Sequence, residues 1–98
     1  MTPLEEQFNR EMKSVYILAK SECGYNATYF LKMLSELGGV KTAKKLLRSS
    51  NVQGGFAELL QCGRKDITME ARVIKPDYVS LFTEEEINIA TERLLQYN

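Results

Sequence analysis

Both ends of almost every segment in this chain carry a helix boundary signal, and that punctuation confines it to an all-helical fold. Thr2, Pro3 and Glu5 combine an N-cap hydroxyl, a proline at the first helical position and the glutamate of a capping box. Thr83 and the Glu84-Glu85-Glu86 run repeat the box near the C-terminus. Gly24, Gly38-Gly39 and Gly63 supply stops, and Pro76 supplies another.

Between those marks the apolar residues recur at helical spacing. Leu4, Phe8, Met12, Val15 and Ala19 form one stripe on a helix expected over 3–23, long enough to span the domain. Asn26 is expected to cap a second helix over 27–37, with Phe30, Leu31, Leu34 and Leu37 inside. A third over 40–48 pairs Val40, Ala43, Leu46 and Leu47 with an opposite face of Lys41, Lys44, Lys45 and Arg48. Residues 49–55 read as a polar glycine-rich loop. Short helices follow over 56–61 and 69–74, the second capped by Asp66 or Thr68. Tyr78, Leu81 and Phe82 plug the core from a turn, and a last helix over 84–96 buries Ile87, Ala90 and Leu94. No segment alternates with period two, so the expected fold is a compact array of five to six helices in one domain, residues 1–98.

The chain has no histidine, which removes the Ser-His-Asp and Cys-His schemes and most zinc sites. No catalytic group, metal site or cofactor site is expected. No apolar run approaches the roughly 20 residues that cross a bilayer, and the acidic N-terminus lacks the form of a signal peptide, so the expected location is the cytoplasm. Cys23 and Cys62 then read first as two small, half-buried thiols. A disulfide between them stays open, because sequence says nothing about the separation of their α-carbons.

Several phrases, taken together, are similar to a family of small bacterial proteins that has no assigned activity. They are Cys23-Gly24-Tyr25-Asn26, Phe30-Leu31-Lys32-Met33, Gly38-Gly39-Val40, Ala43-Lys44-Lys45-Leu46-Leu47, Gly55-Phe56, Gly63-Arg64-Lys65-Asp66-Ile67-Thr68-Met69-Glu70-Ala71 and Leu81-Phe82-Thr83-Glu84-Glu85-Glu86, with Arg93-Leu94 and Tyr97. The resemblance implies kinship over about three quarters of the chain and carries no catalytic residue with it.

Charge is segregated although it sums to zero. Residues 38–75 hold eight basic against three acidic side chains, and residues 76–98 hold one against five. Lys41, Lys44, Lys45 and Arg48, extended by Arg64 and Lys65, are the candidate contact for phosphate or an acidic partner. The competing reading is a solvated face balanced by the acidic last helix. Around Arg64-Lys65-Asp66-Ile67-Thr68-Met69-Glu70, an anion site competes with helix capping and a buried pair of Arg64 or Arg72 with Glu70 or Glu86. Tyr25 and Tyr29, four apart and expected on one helix face, are the candidate protein contact. A pI near 6.3 speaks against a dedicated nucleic-acid binder. The leading expectation is a non-catalytic module for an unidentified protein partner. The alternative is nucleic-acid binding through the third helix. No membrane contact is expected, and no oligomeric state follows.

Overall fold

The computed structural model describes residues 2–49 and 54–96, which form six α-helices and two 3-10 turns, with no strand among them. Helix α1 runs Pro3–Cys23, α2 Thr28–Leu37, α3 Gly39–Arg48, α4 Gly54–Gln61, α5 Met69–Val73 and α6 Glu84–Gln96. The 3-10 turns are Lys65–Ile67 and Val79–Leu81. The fold is the expected all-α array. Ser50 to Gln53, most of the expected loop, and Tyr97 lie outside the described residues.

At its N-terminus α1 carries a complete capping box: Thr2 Oγ1 accepts from the Glu5 amide, and the Thr2 amide donates to Glu5 Oε1. It ends on Gly24, whose left-handed φ of 65° costs a residue without a Cβ almost nothing. Its 21 residues give a rod of about 31 Å, against a longest molecular extent of 33 Å. The predicted stripe is the one that buries: Phe8, Met12, Val15 and Ala19. The rings of Tyr78 and Phe82 meet Phe8 edge-on at 5.2 and 5.3 Å, so the turn after α5 does plug the main core.

Two local expectations fail for identifiable reasons. Asn26 does not cap α2; its side-chain oxygen accepts the Tyr16 hydroxyl at 2.7 Å, and α2 starts after Ala27 without a side-chain cap. The glycine pair does stop α2, with Gly38 as its C-cap, but not in the left-handed helical conformation usual there. Gly38 has φ 83° and ψ 168°, a backbone region closed to other residues, and Gly39 is already in α3. Gly39 lies directly on α1, where its amide donates to Asn9 Oδ1. A Cβ there would stand 2.8 Å from that oxygen and 3.0 Å from the Asn9 Cα. The second glycine therefore lets α3 sit backbone to backbone on α1.

The cysteine expectation is corrected as well. Cys23 and Cys62 form a disulfide with α-carbons 5.7 Å apart, joining the last residue of α1 to the residue after α4. Beneath it lies a second, smaller core of Ala19, Leu59 and Ile67, flanked by Leu18 and Tyr25. No helix among the described residues is long and apolar enough to cross a membrane.

Candidate functional site

Between α1, α2, α4 and the start of α5 the chain leaves a cavity of about 210 Å³ open at the surface. Val15 and Ala19 come from α1, Phe30 and Met33 from α2, and Leu46 from α3. Phe56 and Leu59 of α4 form the facing wall, and Thr68, Met69 and Glu70 close the remaining side. Tyr25, Ala27 and Tyr29 complete the lining. An apolar cavity of about 150 Å³ is enough to admit benzene, so one large side chain fits in this space.

Tyr25 and Tyr29, the two tyrosines singled out in the sequence, are brought together here. They do not share a helix face, because Tyr25 precedes α2. Its amide instead donates to Ala19 O at 3.0 Å, folding the chain back over the end of α1. Tyr25 is half-buried against the small core, while Tyr29 is 65% exposed.

Glu70 is the one charged side chain in the lining. Its carboxylate is 4% exposed and accepts from Arg93 Nη1 at 3.0 Å. Arg93 Nη2 donates in addition to the carbonyls of Leu46, Leu47 and Ser49 at the end of α3. Burial pushes the Glu70 carboxyl above its usual range, and the bond from Arg93 opposes that shift. One guanidinium thus ties the cavity wall to the C-terminus of α3 and to α6. Arg93 was not among the residues expected to matter. Its signal was its place on the buried stripe of α6, at helical spacing from Glu86 and Ala90.

The basic candidates are distributed rather than gathered. Lys44 Nζ lies 2.7 Å from Glu86 Oε1 and Arg48 Nη2 lies 3.1 Å from Glu86 Oε2, while the Glu86 side chain is fully buried. Glu86 Oε1 also accepts the Thr83 amide at 2.9 Å, and Thr83 Oγ1 accepts from the Glu86 amide at 3.1 Å. A single carboxylate therefore closes the capping box of α6 and holds two of the four cations of α3. Its burial works against ionisation, but the bonds from Lys44 and the Thr83 amide outweigh it, and the carboxyl sits below its usual range. Lys44 also lies 5.4 Å from the centre of the Phe82 ring. Lys41 and Lys45 are exposed, with no ion pair among the described residues.

Arg64 is anchored elsewhere. It reaches Glu22 at 2.6 Å near the end of α1 and Asp66 at 3.1 Å, and these carboxylates raise its pKa further. Asp66 does not cap α5; its carboxyl is lowered chiefly by the bond from Arg64. Thr68 makes the cap, accepting from the Ala71 amide at 3.2 Å and donating to Lys65 O at 2.8 Å. Arg72 and Lys75 converge on Glu11 at 2.6 Å each. The buried acids are the expected Glu70 and Glu86, but their partners are Arg93 and Lys44 with Arg48, not Arg64 or Arg72. No group of three or more potential metal ligands occurs among the described residues.

Comparison with known protein families, curated proteins and solved structures finds no match for this chain.

Proposed function

We propose that the chain is a non-catalytic binding module that receives an apolar side chain of a protein partner in the cleft beside Tyr25 and Tyr29. The observation that supports this most is the cavity of about 210 Å³, kept open in a domain of 98 residues. A domain this small has little apolar surface to spare from its core. Its lining of aliphatic and aromatic groups, with an exposed tyrosine at the rim, matches what a hot-spot side chain fills in a partner.

Burying one such side chain is worth about 1.5–3 kcal/mol, too little for stable association alone. Contacts around the rim must supply the rest, and the module therefore suits a reversible partner. Nucleic-acid binding is the weaker alternative. Two of the four cations on α3 are committed to Glu86, and Arg64 is held by Glu22 and Asp66.

A photo-reactive phenylalanine at position 29 tests the reading. Cross-linking to a discrete protein should be abolished by Ala27→Trp, which fills the cleft, and unchanged by Lys41→Glu/Lys45→Glu. Cross-linking that ignores the filled cleft refutes it. Salt-dependent binding to mixed DNA or RNA, lost only in the lysine variant, would establish the alternative.

A further inference from the structure

The Cys23–Cys62 disulfide links the last residue of α1 to the residue after α4, and Cys23 packs against a small core that includes Ala19 and Leu59 of the cleft lining. Helix α4 contributes Phe56 and Leu59 to the cavity and is only eight residues long, too short to persist without tertiary support. Its described packing is on α1 and on the Lys65–Ile67 turn, through the small core of Ala19, Leu59 and Ile67. Cys23 packs against that core. An ion pair between α1 and the segment after α4 is the partly exposed Arg64–Glu22 pair, and such pairs contribute little.

We infer that the disulfide is a redox gate on the cleft: reduction releases α4, removes one cavity wall and weakens binding of an apolar group. This rests on the cleft being the binding site. The reductant is a dithiol, small or protein-borne. Its thiolate attacks the Sγ of Cys62, the more exposed of the two cysteines, breaking the S–S bond and expelling Cys23 as thiolate. The second thiol of the reductant then attacks the mixed disulfide and expels Cys62. Two electrons and two protons pass to the protein, and the reductant leaves as its own disulfide. The gate is local because no described side chain of α4 belongs to the main core, which is built on Phe8, Met12, Leu34, Leu47 and Phe82. Elements open locally at different free energies, and α4, the short helix next to the bond, is the one that its loss frees first.

The test uses the full chain, oxidised and then reduced by dithiothreitol, with indole as the apolar probe and amide exchange read by NMR. A Cys23→Ala/Cys62→Ala variant provides a reduced form that cannot reoxidise. Reduction should speed exchange in residues 57–61 by about 100-fold or more while leaving α1 to α3 protected. It should weaken indole binding by about tenfold, with both effects restored on reoxidation and absent when dithiothreitol meets the double variant. Unchanged exchange in α4 and unchanged indole affinity overturn the gate while leaving the cleft intact. Indole binding to neither form overturns the cleft reading and the gate with it. Loss of protection throughout α1 to α3 on reduction overturns the gate in favour of a global staple; the circular dichroism of the double variant reports the same loss if that variant fails to fold.

Discussion

Replacing Arg93 by methionine should be among the most damaging single substitutions in this chain. Methionine keeps the unbranched stem of the side chain but is shorter and removes four donated bonds. One goes to Glu70 at 3.0 Å, and three go to the carbonyls of Leu46, Leu47 and Ser49 at 3.2, 3.3 and 3.1 Å. Removing one partner of a buried ion pair costs about 3–5 kcal/mol, because the other charge is left in a low-dielectric site. A domain of this size has a total stability of about 5–15 kcal/mol, so the variant sits near the edge of folding. Glu70→Met should cost less, because Arg93 keeps three carbonyl acceptors at the negative end of the α3 dipole. In the double variant the costs should fall short of additivity by about 2 kcal/mol, since no buried charge is left unpaired. Urea unfolding followed by circular dichroism measures all four corners of the cycle. The pH dependence has a definite sign. Glu70 already holds its proton more tightly in the folded chain than in the unfolded one, and without Arg93 it holds it more tightly still. The folded variant then binds more protons, and its stability falls as pH rises through the raised value. A cost below about 1 kcal/mol for Arg93→Met, or strict additivity with Glu70→Met, would refute the idea that this guanidinium clamps three helices.

Gly39→Ala should destabilise by about 1–3 kcal/mol in the same assay, because its Cβ meets the Asn9 backbone at 3.0 Å. Gly63→Ala serves as a control, since nothing lies within 4 Å there and only the positive φ of 77° opposes a side chain. Thr42→Val should be neutral or stabilising by up to about 1 kcal/mol, since Thr42 is fully buried and Oγ1 has no hydrogen-bond partner among the described residues. A clear loss in melting temperature would show that the hydroxyl is used. Glu86→Gln should reduce acid sensitivity: the carboxyls of Glu86 and Glu11 sit below their usual range when folded, so they stabilise above about pH 4.3 and lose that contribution as pH falls. An acid-unfolding midpoint of the variant equal to that of the parent would contradict this assignment.

The element boundaries were legible because caps act locally. Thr2 with Glu5 and Thr83 with Glu86 close their boxes within one helical turn, and the stripe of α1 buries as its spacing requires. The misread local signals had competing tertiary partners. Asn26 has a capping side chain, but the Tyr16 hydroxyl reaches it from ten residues away. Met33 is buried while Leu37 is 38% exposed, because the packing of α2 on α1 and α3 turns the helix slightly from its most apolar face. Tyr25 and Tyr29 were legible as a candidate contact pair, but the cavity they border is made by α1, α4 and α5 as much as by α2. That space is a property of packing and has no periodic signature. The disulfide was invisible for the same reason: it depends on the end of α4 returning to the end of α1.

The segregated charge has a structural explanation that also weighs on function. A surplus of cations in residues 38–75 opposite a surplus of anions in 76–98 resembles a polyanion-binding face when read along the chain. In the fold five of those cations are held in ion pairs, two by the acidic last helix and three by carboxylates of α1. Glu86 of α6 takes Lys44 and Arg48 of α3, and Arg93 of α6 crosses to Glu70 of α5. Glu11 of α1 takes Arg72 and Lys75, and Glu22 of α1 takes Arg64. The pairs link α6 to α3 and α5, and α1 to the segments around α4 and α5; the three involving α6 are buried on their carboxylate side. Buried pairs add little net stability over apolar substitutes, but any packing that separates them leaves a charge uncompensated, and that penalty selects one arrangement of short helices over its alternatives. Counterion release requires cations facing solvent in register, and on α3 that leaves Lys41 and Lys45 as the side chains outside any ion pair among the described residues. The proposed partner site is therefore the apolar cleft, on the side of the molecule where Tyr29 is exposed and a disulfide links α1 to the end of α4.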